Sequence, residues 1–221
     1  MGIQVRDLAG LGEWSAASRL YRRVFGYDQP EFGISPRLLA GLRENAGSVI
    51  GAFDPGGDLI GFCYGFSAVE RGELYHYSQS AVVAPGAQGT GVGRRLKQAQ
   101  AETARATGAR TMRWTFDPYA LRNAHFNFHV LGATAIRFLP DYYDDGASDR
   151  LLVSWDLTGP HTVRNRCSTV TAPASDSTAA PGAADRAALR DELIARFGTG
   201  RLVGVERRDQ QAVYTFERDD T

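Results

Sequence analysis

The chain opens with a short alternating run over residues 3–8, followed by Trp14, Ala17, Ser18, Tyr21, Val24 and Phe25 on one helical face of residues 11–25. A strand and then a helix are expected. Ser35-Pro36 marks a second helix start with proline at the first helical position, and Leu38, Leu39 and Leu42 form its apolar side until Asn45 and Gly47. Apolar runs at 48–53 and 59–67 flank Asp54-Pro55-Gly56-Gly57, which predicts a hairpin, and 73–83 supplies a third antiparallel strand. Residues 91–107 then read as a helix with Val92, Leu96, Ala99, Thr103 and Ala106 on one side and Gly108 at its end. A buried strand at 111–116, a short helix at 123–131 and strands at 134–138 and 150–157 complete the pattern.

From Arg164 to Asp185 the sequence turns to Ser, Thr, Ala, Pro and Gly, which bury too little apolar surface to fold alone, so this stretch is expected to be a flexible linker. Beyond it a charged helix, 185–197, leads to two alternating runs, 202–206 and 212–216, that form a hairpin. An isolated hairpin is marginal in water, so the extension at 186–221 is expected to pack on the 1–160 domain or on a partner subunit, as in a homodimer.

Composition narrows the function classes. Lys plus Arg equals Asp plus Glu at 25 each, so no bulk basic field calls for nucleic acid, and recognition by charge has to be local. The two cysteines, Cys63 and Cys167, have neither metal-ligand nor CxxC spacing, which fits a reduced cytoplasmic protein. No apolar signal core or membrane span is expected.

Gln88-Gly89-Thr90-Gly91-Val92-Gly93 carries the chemistry. It follows the strand-like Ser80 to Val83 and a Pro85-Gly86 turn, and opens into a helix. Closely spaced glycines let backbone approach a ligand, and the first helical turn offers unpaired N–H groups and the positive dipole end to an anion. Arg94, Arg95 and Lys97 add positive charge there. A P-loop would need Lys-Ser/Thr where Val92 and Gly93 stand, and a dinucleotide fingerprint would need Gly or Ala where Arg94 stands.

The segment Gln-x-x-Gly-x-Gly resembles the pyrophosphate-binding signature of the GNAT acyltransferases, and the order of predicted elements over about residues 3–157 is similar to theirs. The resemblance implies an α/β (α+β) fold with a mixed, mostly antiparallel sheet flanked by helices, here with the C-terminal helix-hairpin extension. It implies acetyl-CoA or another acyl-CoA as co-substrate and a small-molecule or peptide amine as acceptor, with no metal, membrane or nucleic acid. By the same resemblance, Ser80 to Pro85 is the strand where the sheet splays at a bulge, with backbone groups of Ala81, Val82 and Val83 on the pantetheine arm. The pyrophosphate lies over Gln88, Gly89, Thr90, Gly91, Val92, Gly93 and Arg94, and Asn123 touches the arm. A subgroup marked by Trp-Thr-Phe-Asp-Pro, Asn-Ala-His-Phe-Asn and Ser-Asp-Arg-x-x-x-x-Trp is closer still; this chain has Trp114 to Pro118, Asn123 to Asn127, and Ser148-Asp149-Arg150 with Trp155. That likeness bears on fold more than on function.

The chain departs from the family where proton transfer is usually served. Phe128 stands at the position of the tyrosine acid, and Tyr77 where a glutamate base is common, with His76 beside it. His76 or Tyr77 is the candidate base and Tyr143 the candidate acid. His125 and His129 have the spacing of a metal pair, but no third ligand accompanies them. Three readings stay open: an N-acyltransferase, an acyl-CoA binder without turnover, and another acyl-CoA reaction such as O-acylation or decarboxylation.

Overall fold

The structure is a computed structural model that describes residues 2–159, 167–174 and 182–218. It divides into two compact units, Met1–Met112 and Arg113–Thr221.

In the first unit β1 (Gln4–Asp7) leads to α1 (Gly10–Phe25) and α2 (Pro36–Glu44), followed by β2 (Ser48–Phe53), β3 (Leu59–Glu70), β4 (Glu73–Val83) and α3 (Val92–Ala106). The strands pair antiparallel in the order β1-β2-β3-β4. Gly26, in the left-handed region at φ 68°, lets its N–H turn back to Arg22 and stop α1. Both sheet faces are covered. α1 and α2 bury Ala17, Leu20 and Leu39 against Val49, Phe62, Tyr64 and Val82, whereas α3 buries Val92 and Leu96 against Ile50, Ala52 and Cys63. Leu38 and Phe25, expected on the apolar helix faces, are exposed instead, because Leu39 and Leu20 point the stripe elsewhere.

The β3–β4 ladder contains one irregularity that matters below. Tyr64 faces Ser80 but Gly65 faces Ser78, so Gln79 is an extra residue, a β-bulge in β4. It lies just ahead of the stretch where the sequence placed one.

The second unit holds β5 (Thr111–Phe116, its first two residues in the first unit), α4 (Leu121–His125), β6 (Thr134–Leu139), β7 (Arg150–Asp156), β8 (Cys167–Pro173), α5 (Ala183–Phe197), β9 (Gly200–Arg208) and β10 (Gln211–Arg218). Strand order is β5-β7-β6-β9-β10-β8. The single helix expected at 123–131 is two pieces: α4 passes into one turn of wider π-helix, Phe126–Val130.

The expected linker at 164–185 needs correction. Its described part is β8, which pairs with β10 through Val170 opposite Tyr214, and Val170 and Ala172 are buried; α5 begins within its far end. Two apolar residues on alternate positions suffice because β10 provides the partner edge. Residues 160–166 and 175–181 lie outside the described residues. The C-terminal strands join the unit's own sheet, since Leu202 of β9 pairs with Ala135 of β6.

The three subgroup motifs hold this unit together. Trp114 Nε1 donates to Asn127 Oδ1 at 3.1 Å, and Tyr214 donates its hydroxyl to Pro118 O at 3.0 Å. Asp149, 2% exposed, accepts from Tyr119 Oη at 2.9 Å, from Arg190 Nε at 3.0 Å and Nη2 at 2.5 Å, and from Asp141 N at 3.1 Å. Burial alone would raise the Asp149 carboxyl, but the hydrogen bonds from Arg190, Asp141 and Tyr119 outweigh it and hold the group below the usual carboxylate range.

Replacing Asp149 with Ala should lower the unfolding free energy by roughly 3 kcal/mol, the low end for breaking a buried ion pair, because Arg190 keeps some access to water. A carboxylate held low in the fold stabilises above the ordinary pKa and loses that contribution as pH falls through its folded value. Denaturant melts should therefore show the gap between Asp149→Ala and the parent protein closing as the solution is acidified past the usual carboxylate range.

Candidate active site

The glycine loop needs the residues it has. Gly89 and Gly91 sit at φ 81° and 85°, in the left-handed region that side chains avoid, and a Cβ built on either would meet nothing within 4 Å. Gly91 is the N-cap of α3 and no side chain caps the helix, so the N–H groups of its first turn face the loop. Arg95 N already donates to Gly91 O at 3.1 Å, which leaves Val92, Gly93 and Arg94 as the donors of that turn. Thr90 closes the loop by donating Oγ1 to Ala87 O at 2.7 Å, and Gln88 ties it to the strand by donating Nε2 to Val83 O at 3.3 Å. Arg94 and Arg95 are exposed beside it.

The backbone of β4 supplies the second half of the site. Ala84 N donates to Ile60 O at 2.8 Å, which fixes the phase of the antiparallel ladder: positions 84, 82 and 80 exchange hydrogen bonds with β3, whereas Ala81 and Val83 direct their N–H and C=O groups away from it. Val82, expected to offer its backbone to the ligand, is thereby corrected. Its backbone belongs to the ladder, and its side chain is buried beneath α1 and α2.

The bulge at Gln79 reassigns two further residues. Val83 contributes its side chain to the α3 side of the sheet, and strict alternation from there would turn Ser78 and His76 to the other face. The extra residue reverses the parity, so both lie under α3. His76 is 0% exposed, with Nε2 2.8 Å from Ser48 Oγ, and Gln100 Nε2 donates to that oxygen at 2.8 Å. Burial, and then the charge of Lys97, push the His76 imidazole down to about 4. Sealed in this way, His76 cannot take a proton from an acceptor, which corrects one candidate base.

Lys97, expected to line the anion site, is 3% exposed and donates Nζ to Ser78 Oγ at 2.7 Å. Burial draws its ammonium down to about 7, only partly offset by Cys63, whose thiol burial lifts to about 12. Ser48, Ser78 and Gln100 were not anticipated, although the 3.6-residue period already places 97 and 100 on the buried face with 96, 101 and 104. Tyr77 points the other way from His76, half-buried, its ring centroid 5.5 Å from that of Phe66.

In the second unit, Asn123 is exposed on α4. Phe128 is buried in the π turn, edge-on to Phe116 with centroids 5.9 Å apart, so the position where a tyrosine acid is usual is a core position here. Tyr143 is 57% exposed, with the Arg150 guanidinium 5.2 Å from its ring centroid and its N–H donating to Ser148 Oγ.

The sequence profile described as "Acetyltransferase (GNAT) family" matches residues 14–132, more than half of the chain and across the loop and α3. The chain belongs to the GNAT family. Membership makes it an acyltransferase and gives the fold its name, the mixed, mostly antiparallel GNAT sheet flanked by helices. Solved structures of that fold superpose on it. An acetyltransferase of the GNAT family from Desulfovibrio desulfuricans aligns with TM-score 0.59 at 18% identity, covering 71% of this chain and 99% of its own. The yncA protein of Salmonella typhimurium, solved with acetyl-CoA, gives 0.58 at 17% identity, over 75% of this chain and 99% of its own. The ribosomal-protein-S18-alanine N-acetyltransferase of Escherichia coli gives 0.55 at 17% identity, over 74% and 98%. No curated protein matches the sequence. Among the described residues of this GNAT chain, no group of three His, Cys, Asp or Glu side chains could hold a metal ion, and no helix is long and apolar enough to cross a membrane.

The buried amine leaves a mark on stability. Between about 7 and the ordinary lysine value of 10.5 the unfolded chain binds a proton at position 97 that the folded chain has released, so stability rises with pH. Cys63 acts in reverse above its ordinary 9.0, because there the unfolded thiol has lost a proton that the folded one keeps. Denaturant midpoints should therefore climb between about pH 7 and 9, by at most about 1.4 kcal/mol per pH unit, and Lys97→Met should flatten that climb.

Proposed function

We propose that the protein transfers an acyl group, acetyl first among them, from coenzyme A to the amine of a small molecule or peptide by direct attack on the thioester. The observation that carries this reading is the pairing, within one compact unit, of a left-handed glycine cradle at the start of α3 with the outward-facing backbone of Ala81 and Val83 at the end of β4.

These residues fit the co-substrate. The N–H groups of Val92, Gly93 and Arg94, with the turns at Gly89 and Gly91, would hold the pyrophosphate, and Arg94 and Arg95 would draw it in. Ala81 and Val83 would hydrogen-bond the amide arm as an added strand, with one N–H polarising the acyl carbonyl. Acyl-CoA bound there would present an activated thioester and leave as the free thiol. The protein's remaining task is orientation of the amine, which supplies much of the rate in a reaction that needs no covalent enzyme intermediate. With His76 sealed under α3, Tyr77 takes the role of proton acceptor, through water. Asn123 and Tyr143 keep their assigned roles, arm contact and acid, on the family resemblance alone. Residues 1–160 make up the acyltransferase domain in this reading.

Phe128 favours a second reading, an acyl-CoA binder without turnover, since its burial against Phe116 removes the usual acid from the site. Incubation with acetyl-CoA and a panel of amines, monitored as free thiol, decides between them. Thiol release is expected with at least one amine and should vanish in Gly91→Val, whose side chain must adopt a strained positive φ; tight CoA binding with no release from any amine would make the protein a binder. Tyr77→Phe should lower kcat by about 10²-fold or less, the low end for a general base, while the CoA dissociation constant stays the same. An unaltered kcat would remove Tyr77 from the mechanism.

A further inference from the structure

Five buried polar side chains, Ser48, His76, Ser78, Lys97 and Gln100, lie between α3 and the sheet where an apolar layer would be expected. They form two linked sets: Lys97 Nζ to Ser78 Oγ at 2.7 Å, and Gln100 Nε2 to Ser48 Oγ to His76 Nε2 at 2.8 Å each. The sheet is cleared for them. A Cβ on Gly65 would collide with the backbone oxygen of Tyr77 and would also stand 2.8 Å from His76 Nε2 and 3.0 Å from Gln100 Nε2, so a side chain there would press on both the strand and the cluster. The bulge at Gln79 serves the same end, since it alone turns Ser78 and His76 to this face.

Stability does not explain the arrangement. Burying an amine and an imidazole is costly, and His76 Nδ1 and Gln100 Oε1 have no protein hydrogen-bond partner among the described residues. Apolar residues of the same volume would often hold a helix on a sheet at least as well. What a hydrogen bond adds is direction. Apolar contact tolerates sliding of a helix, whereas a bond at 2.7 Å fixes its position to a few tenths of an ångström.

The position of the bond gives that direction a use. Lys97 lies five residues beyond Val92, about 7.5 Å along the helix from the donors of its first turn. Ser78 and Ala81 face Gly65 and Cys63, two residues apart on β3, so with the bulge between them Ser78 lies about 7 Å along the strand from the outward-facing backbone groups. The bond therefore joins the two halves of the proposed site across short levers.

We propose that Lys97 and Ser78 are positioning residues whose hydrogen bond sets the spacing between the pyrophosphate cradle on α3 and the arm-binding edge of β4, and so selects a ligand that engages both at once. This rests on the acyl-CoA reading above. A ligand spanning two half-sites gains affinity only when their separation matches its own, whereas a fragment that touches one half-site is indifferent to the separation.

The test uses Lys97→Met, which keeps the volume and removes the bond, with calorimetric titration of CoA and of ADP, which carries only the pyrophosphate end. CoA affinity should fall at least tenfold while ADP affinity stays within twofold and the melting temperature holds or rises. CoA binding within twofold of the parent protein would overturn the proposal. So would an equal loss for CoA and ADP, which would mean that the cradle itself is damaged. If Lys97→Met proves unstable, the double variant Lys97→Met, Ser78→Ala removes both polar partners and is held to the same outcomes. Failure of the unmodified protein to bind CoA would instead sink the acyl-CoA reading beneath the proposal.

Discussion

One inserted residue in a strand governs which chemistry this protein keeps dry and which it exposes. In a regular strand the side chains alternate without exception, so the face to which Val83 points would dictate the face of every residue back to Glu73. Gln79 breaks that rule part-way along β4. Ser78 and His76 move under α3, Tyr75 and Tyr77 move to the opposite face, and the helix meets a polar seam where its sequence brings Lys97 and Gln100. The glycine loop follows β4 directly and leads into that helix, so the polar contacts that hold α3 on the sheet depend on the bulge.

The legible and illegible parts of the sequence divide along this line. The loop is legible because its demand is local: positive φ at two positions followed by a helix start leaves a glycine spacing that little else produces. The α1, α2 and α3 stripes are legible through their period, apart from Leu38 and Phe25, which are exposed. His76 is not legible in this way. An alternating strand tells which residues share a face only until a bulge intervenes, and nothing in Ser78-Gln79-Ser80 announces one.

The linker expectation failed for a different reason. Thr169, Val170, Thr171 and Ala172 have little to bury by themselves, and their strand exists because β10 presents an unpaired edge to them. Composition measures what a segment can bury alone; it is silent about an edge offered by another part of the chain. The motifs around Trp114, Asn127 and Asp149 suffered the converse ambiguity. They stood out in the sequence as marks of a subgroup without saying what they do, and they turn out to be the contacts by which the second unit gathers its strands and α5.

Those contacts bear on how the protein is made. Strands β1 to β4 and helices α1 to α3 of the first unit are all present once residue 112 has been synthesised. The second unit is completed later. Asp149 waits for Arg190, 41 residues later, and Pro118 for the hydroxyl of Tyr214, 96 residues later. Closing such long loops is entropically slow, and a carboxylate destined for burial lacks its cationic partner in the interval. The two halves of the chain therefore gather their own contacts at different times: those of the first unit need no residue beyond 112, while those of the second wait for β10.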